Sequence, residues 1–394
     1  MTEQERKLLA CELSSLSVFR GILKTQPMAL LLAFLSSEGS TRERVGLFGE
    51  FVYSLSEDNY SFSDFLCRAV YTDENRYIIG AAQKAQWPAV LAENAMAELA
   101  LFSRLTRLDA RALCESIGYT GYIPQFANKP VDFETSYAER LAHIDRYGYG
   151  VFASGKMFRV VDEQILPVDA ADDISVDDFI GYEQERQTVL DNTLALIQGK
   201  PAANVLLFGD AGTGKSSTVK ACTNYYYDQG VRLIELRKDQ LFILPHIMGR
   251  IADNPLKFII FIDDLSFNKN DDSFSMLKAA LEGSASAKAK NAVIYATSNR
   301  RHIVKETFSD RTATDDVHRN DTVQELMSLS DRFGLTVYFE KPNKFTYLEI
   351  VHKLAEKSGV TMEQDMLDKK AEVFALAKGS RSPRAAEQFI NSLI

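Results

Sequence analysis

The sequence predicts an α/β fold built on a mainly parallel sheet, with a mostly helical domain before it and a small helical lid after it. Three observations carry this expectation. Residues 1–145 space their apolar positions three and four apart, from about residue 204 buried-type strands alternate with helical segments, and beyond Pro342 the pattern is helical again.

In the first region, Phe48, Phe51, Val52 and Leu55 form one stripe and Phe62, Phe65, Leu66 and Ala69 another, while Pro88 suits the start of the helix carrying Val90, Leu91 and Met96. Such stripes are core packing, with partner binding as the functional alternative. Tyr147 to Val161 mixes aromatic and β-branched residues around Ser154-Gly155-Lys156, which predicts a short hairpin closing a helical domain over 1–161. Residues 162–178 then read as an acidic, solvated linker, because Asp162 to Glu185 holds nine carboxylates and no Lys or Arg. An α/β core is expected over 179–341: a helix from Glu183 to about Gln198, then strands at Asn204–Phe208, Arg232–Leu236, Phe258–Ile262, Ala292–Ala296 and Thr336–Phe339. Tyr347, Ile350, Val351 and Leu354, followed by Phe374, Leu376 and Ala377, give a lid over 342–394, with Ser382-Pro383 as cap and first turn of its last helix.

Forty-five basic against 54 acidic side chains leave a net charge of −9, which argues against a chain coated for unspecific phosphate binding. The charge is partitioned. Residues 151–200 carry 4 basic and 10 acidic side chains, whereas residues 201–394 carry 26 and 25, so the second half does not repel a polyphosphate. Cys11, Cys67, Cys114 and Cys222 lie far apart with no paired spacing, which disfavours a zinc site and a disulfide framework. With no secretory pattern and no apolar run of membrane length, the expectation is a reduced, cytoplasmic protein that does not enter a membrane.

Gly209-Asp210-Ala211-Gly212-Thr213-Gly214-Lys215-Ser216 fits the phosphate-loop pattern between a strand and a helix, with Ser217 next to it. The glycines let backbone N–H groups wrap phosphates, Lys215 reaches the β and γ oxygens, and Ser216 ligates Mg²⁺. Phe258 to Ile262 ends in Asp263-Asp264. Alone this is as much a turn signal as a site, but some fifty residues after a phosphate loop it reads as the acidic half of a P-loop NTPase. Asp263 then holds Mg²⁺, and Asp264 orients or deprotonates water.

Ile180-Gly181-Tyr182, the phosphate loop, FIIFIDD and Ala296-Thr297-Ser298-Asn299, in that order, resemble the AAA+ ATPase core over about 178–394. The phrases DDLSF, LKAALEGS, IYATSNRRHIV and SLSDRFGL resemble more narrowly a bacterial AAA+ family known as a domain of unknown function. The resemblance implies ATP and Mg²⁺ as ligands, Ile180 and Gly181 near the adenine, and Asn299 placing the lytic water with Asp264. It implies Arg332, in Ser330-Asp331-Arg332-Phe333, as an arginine finger on a neighbouring subunit, and Arg384 rather than Arg381 as a lid sensor. Assembly into an ATP-promoted homo-oligomeric ring or arc follows from a finger acting in trans. The pattern departs at Asp264, where Glu is usual, which implies slow hydrolysis.

Arg332 pairing with a surface carboxylate and Arg384 lying over the lid are the structural alternatives. What the ATP cycle moves stays open among three classes. Remodelling or loading of a macromolecular partner leads; the only candidate pore segment, His246-Ile247-Met248-Gly249, matches weakly. Nucleic-acid handling similar to helicase loaders draws on Arg300-Arg301 and His302. A nucleotide-gated scaffold would recruit a protein partner through its helical N-terminal domain.

Overall fold

In the computed structural model the described residues are 1–168, 173–265, 276–278, 281, 289–299 and 332–394. Arg300, Arg301, His302, Ser330 and Asp331 lie outside them. The chain divides into two compact units, Met1–Ser154 and Gly155–Ile394.

The first unit is helical: α1 (Glu3–Ser14), α2 (Gln26–Ser36), α3 (Thr41–Ser54), α4 (Phe62–Thr72), α5 (Arg76–Ala82), α6 (Ala89–Leu105), α7 (Ala110–Cys114), α8 (Phe133–Ala142) and α9 (Ile144–Tyr147). Side-chain oxygens begin these helices. Thr2 makes a reciprocal capping box with Glu5, while Ser40, Ser61, Asn75, Asp109 and Asp132 each accept a backbone N–H from the first turn. The stripes at Phe48 to Leu55 and Phe62 to Ala69 are buried, and Phe51, Phe62 and Phe126 meet edge to face with ring centroids 5.3–5.9 Å apart.

One charge inside this unit is fully employed. The Glu98 carboxylate on α6 accepts the N–H groups of Ser17, Val18 and Phe19 at 2.7–3.1 Å, together with the Ser17 hydroxyl at 2.8 Å. It thereby closes the irregular link after α1, whose amides have no helical partner there.

The second unit is a seven-stranded sheet: β1 (Met157–Val161), β2 (Gln164–Pro167), β3 (Val205–Gly209), β4 (Val231–Leu236), β5 (Lys257–Ile262), β6 (Ala292–Ser298) and β7 (Leu335–Phe339), in the order β2-β1-β4-β5-β6-β3-β7. Every pairing is parallel except β1 with β2. Parallel strands are buried on both faces, and β5 accordingly buries five consecutive residues from Phe258 to Ile262. Helices α10 (Glu183–Ile197) and α11 (Lys215–Tyr226) pack through Val189, Val219 and Cys222 onto Val205, Leu207 and Tyr295; burial pushes the Cys222 thiol up to about 12. Helices α13 (Lys344–Lys357), α14 (Gln364–Lys378) and α15 (Pro383–Asn391) form the lid around Tyr347, Ala371 and Phe389.

Three expectations change. The hairpin turns at Asp162-Glu163, both with left-handed φ of 46° and 63°, and not at Ser154-Gly155-Lys156. Because β1 pairs with β4, it extends the second unit's sheet instead of closing the helical region. The acidic run from 162 to 178 is therefore no plain linker: it supplies a hairpin turn, strand β2 and the short 3₁₀ turn Val176–Asp178. His246-Ile247-Met248-Gly249 is helical, inside α12 (Leu244–Ile251) with Ile247 buried, so it forms no loop.

Glu98→Ala removes the acceptor for three amides, and leaving buried donors unsatisfied costs about 2–4 kcal/mol in total. We expect a lower Tm for the variant, and faster hydrogen exchange at Ser17, Val18 and Phe19 than elsewhere in the unit. Unchanged exchange at those amides would show that water replaces the carboxylate.

Candidate functional site

The site grows from the carboxyl ends of parallel strands. Gly209 closes β3 with φ 141°, and a side chain there would meet the Phe339 carbonyl oxygen at 2.1 Å, so only glycine lets β3 and β7 run this close. Asp210 to Gly214 then turn into α11, whose N-cap Gly214 has φ 91°. Gly212, Gly214 and the first turn of α11 leave backbone N–H groups free of side chains at a helix N-terminus, the arrangement that suits a phosphate.

Lys215 opens that helix and is only 6% exposed. Its ammonium donates to the carbonyls of Gly209 at 2.9 Å and Asp210 at 2.7 Å and to Asn299 Oδ1 at 3.1 Å. Burial lowers its pKa; the carboxylates of Asp210, Asp263 and Asp264 oppose that shift, while the Arg384 guanidinium reinforces it. Among the described residues the lysine makes no ion pair, and its carbonyl partners can be exchanged for an anionic ligand.

Ser216 Oγ donates to Asp263 Oδ1 at 2.6 Å, so the expected hydroxyl and carboxylate of a metal site sit side by side. Both are hard oxygen donors of the kind Mg²⁺ takes, and two protein ligands beside a phosphate site fit its habits. Asp264 has a left-handed φ of 50°. In that conformation its Oδ1 accepts from Asn299 Nδ2 at 2.8 Å. Asn299 therefore joins Lys215 on one side to Asp264 on the other.

Sequence reasoning passed over Thr297, buried at the end of β6. Its Oγ1 donates to Asp263 Oδ1 at 2.5 Å and accepts the Asp264 N–H at 2.9 Å. A polar residue two before Asn299, on the same face of a strand, was the available signal.

A cavity of about 500 Å³ adjoins the loop. Phe179, Ile180, Tyr182 and Ile350 give it apolar walls, and Gly212, Thr213, Gly214, Ser217 and Arg384 line the end nearest the phosphate loop. Gly181 lies behind this wall: its N–H donates to Glu183 Oε1, its carbonyl accepts from Arg186, and a side chain added there would touch Ile350. Arg186 in turn covers the Phe179 ring at 5.6 Å. Arg384 reaches the phosphate loop through its amide, which donates to the Gly212 carbonyl at 3.3 Å. Arg381 is engaged elsewhere, bidentate to Glu372 at 2.9–3.0 Å.

Arg332 does not join this group. It precedes β7, and the parallel register pairs Leu335 with Val205 and Phe339 with Gly209, which puts Arg332 at the opposite edge of the sheet. About 13 Å of strand separates Leu335 from the edge that carries the phosphate loop. Asp210 and Ala211 are loop residues whose backbone shapes the turn, and the Asp210 carbonyl takes both Thr213 Oγ1 and Lys215.

Among the described residues no helix is long and apolar enough to cross a membrane. Three solved structures are similar over part of their length. The Thermotoga maritima RuvB Holliday junction branch migration motor is 14% identical over 56% of this chain and 72% of that one, with a TM-score of 0.34. The replication initiator DnaA bound to AMPPCP and single-stranded DNA is 16% identical over 57% and 66%, with a TM-score of 0.39. A DNA replication initiation factor is 16% identical over 56% and 63%, with a TM-score of 0.37. No curated protein matches the chain. Residues 154–394 match the family described as "Protein of unknown function (DUF815)", a span that begins at the boundary between the two units and covers the whole of the second. The second unit is a mainly parallel α/β sheet with a glycine-rich phosphate-loop turn and a helical lid, and the chain belongs to this DUF815 family.

Proposed function

We propose that the chain binds Mg·ATP in this site and hydrolyses it slowly to ADP and phosphate, coupling the cycle to remodelling or loading of a macromolecular partner. The observation that carries the reading is the hydrogen-bonded chain Lys215–Asn299–Asp264 beside the Ser216–Asp263 pair, all at the mouth of one glycine-rich turn. The apolar walls at Phe179, Ile180 and Tyr182 suit a base, and the N-terminus of α11 suits the polyphosphate.

In this reading Lys215 gives up its bonds to the Gly209 and Asp210 carbonyls and contacts the β and γ oxygens. Moving toward phosphate also takes it off Asn299, whose amide is then free to hold water with Asp264. Asp264 accepts a proton from the attacking water as the water oxygen closes on the γ phosphorus and the bond from that phosphorus to the β–γ bridging oxygen breaks, releasing ADP. Ser216 and Asp263 would hold Mg²⁺, which when bound supplies positive charge against the phosphate oxygens. Arg384 steadies the phosphates from the lid. Asp264 is one methylene shorter than the usual glutamate, so the water must approach closer and turnover suffers.

Arg332, at the far edge of its own sheet, completes the site of a neighbouring copy in this reading. Head-to-tail contacts of that kind either close into a ring or run on as an arc. The helical unit 1–154 is then the part free to recruit the partner, protein or nucleic acid.

We expect Lys215→Ala to weaken ATP binding by at least about tenfold, the loss typical of one charge-assisted contact. Asp264→Asn should keep binding and lose turnover; calorimetric titration with steady-state kinetics checks the pair, and the reverse pattern would refute the assigned roles. Basal wild-type turnover is expected below about 10 s⁻¹, the median for enzymes generally, and is compared with turnover in the presence of single-stranded DNA, duplex DNA, RNA or an unfolded protein. Stimulation by one of these identifies the partner class.

Sedimentation should show ATP-dependent assembly, and Arg332→Ala should lower turnover by at least about a hundredfold while each subunit still binds nucleotide. A monomer unchanged by ATP and by a nonhydrolysable analogue would sink the shared site.

A further inference from the structure

Thr297 lies at the centre of the acidic edge, yet it is only 2% exposed. Its hydroxyl makes two bonds at once: the proton goes to Asp263 Oδ1, and a lone pair receives the Asp264 N–H. Its carbonyl oxygen accepts a third bond, from the N–H of Leu265 at 2.7 Å. One residue on β6 therefore pins three consecutive positions that follow β5.

The two consequences differ. Asp263 Oδ1 gathers Ser216 Oγ, Thr297 Oγ1 and the Asp264 N–H, which fixes the carboxylate rotamer and leaves Oδ2 outside this set of bonds. Asp264 is held at φ 50°, a conformation that costs on the order of 1 kcal/mol unless its surroundings enforce it. The bonds to its N–H and to the next N–H are that enforcement, and in this conformation its carboxylate meets Asn299.

From this geometry we infer that Thr297 is the positioning residue of the site: its hydroxyl sets the Asp263 carboxylate toward the metal and holds the Asp264 backbone so that its side chain faces the water. The inference rests on the ATPase reading above. Thr297 touches neither nucleotide nor water and acts through the two aspartates. Serine can make both hydroxyl bonds, whereas valine has the same shape and can make neither.

The test uses the full-length chain with Thr297→Val and Thr297→Ser. Three quantities are read: ADP affinity without metal, Mn²⁺ affinity in the presence of ADP by electron paramagnetic resonance, and kcat and KM for Mg·ATP. For Thr297→Val we expect metal-free ADP affinity within about twofold of wild type, with Mn²⁺ affinity and kcat each about tenfold lower, the scale of one hydrogen bond to a charged group. KM should move little, and Thr297→Ser should restore most of both losses. Valine values equal to wild type would overturn the inference, and so would loss of metal-free ADP binding or a serine variant as impaired as valine, since either would assign the residue to packing alone. A wild-type chain that binds no ADP and turns over no ATP overturns the ATPase reading itself, a result distinct from all of these.

Discussion

Parallel pairing of β3, β5 and β6 in fixed register brings Gly209, Asp263 and Asn299 to one edge of the sheet, and every contact of the site follows from that placement. Ile262 pairs with Ala296 and Phe208 with Ser298, so Asp263 emerges beside Thr297 and Gly209 beside Asn299. A slip of one residue would turn each side chain to the other face and scatter the group. The register is enforced from below, because Phe258 to Ile262, Val293 to Ala296 and Val205 to Leu207 are buried and cannot exchange faces with solvent. Asn291 adds a polar lock: its side-chain amide donates to the carbonyls of Ile251, Asn254 and Leu256 and ties the end of α12 to the start of β5.

That edge carries a charge problem with a structural answer. Three carboxylates, Asp210, Asp263 and Asp264, act on a lysine whose burial disfavours its charged form. Among the described residues the lysine ammonium is held by dipoles and contacts no carboxylate: two carbonyls and an amide oxygen accept from it. Carbonyl oxygens are weaker partners for an ammonium than phosphate oxygens are. The arrangement is thus poised for a ligand with more negative charge, and the near-neutral composition of residues 201–394 places no general field against it.

Much of this was legible in the sequence because the signals were local. The phosphate loop is a contiguous run whose residue types have one job each, and buried parallel strands announce themselves as unbroken apolar runs ending in charge, as FIIFIDD does. Non-local facts were hidden. The hairpin over Met157–Pro167 has turn residues at both 154–156 and 162–163, and what decides its place is pairing with β4, about seventy residues away. His246 to Gly249 looked available for a loop, but Pro245 sits in a first helical turn and Ile247 supplies a buried anchor, so α12 forms. Thr297 could not be weighed without knowing that β5 and β6 are neighbours, since nothing in a strand's own residues names its partner.

The aspartate at position 264 reads differently once its backbone is known. As a substitution for glutamate it shortens the reach to water, which argues for a slow enzyme. Yet the residue occupies left-handed space, where aspartate and asparagine are tolerated far better than other side chains. A longer acid on the same backbone would carry its carboxylate past Asn299, which Asp264 already meets at 2.8 Å. The side-chain length and the left-handed φ act together: on this backbone the aspartate carboxylate accepts from Asn299 Nδ2.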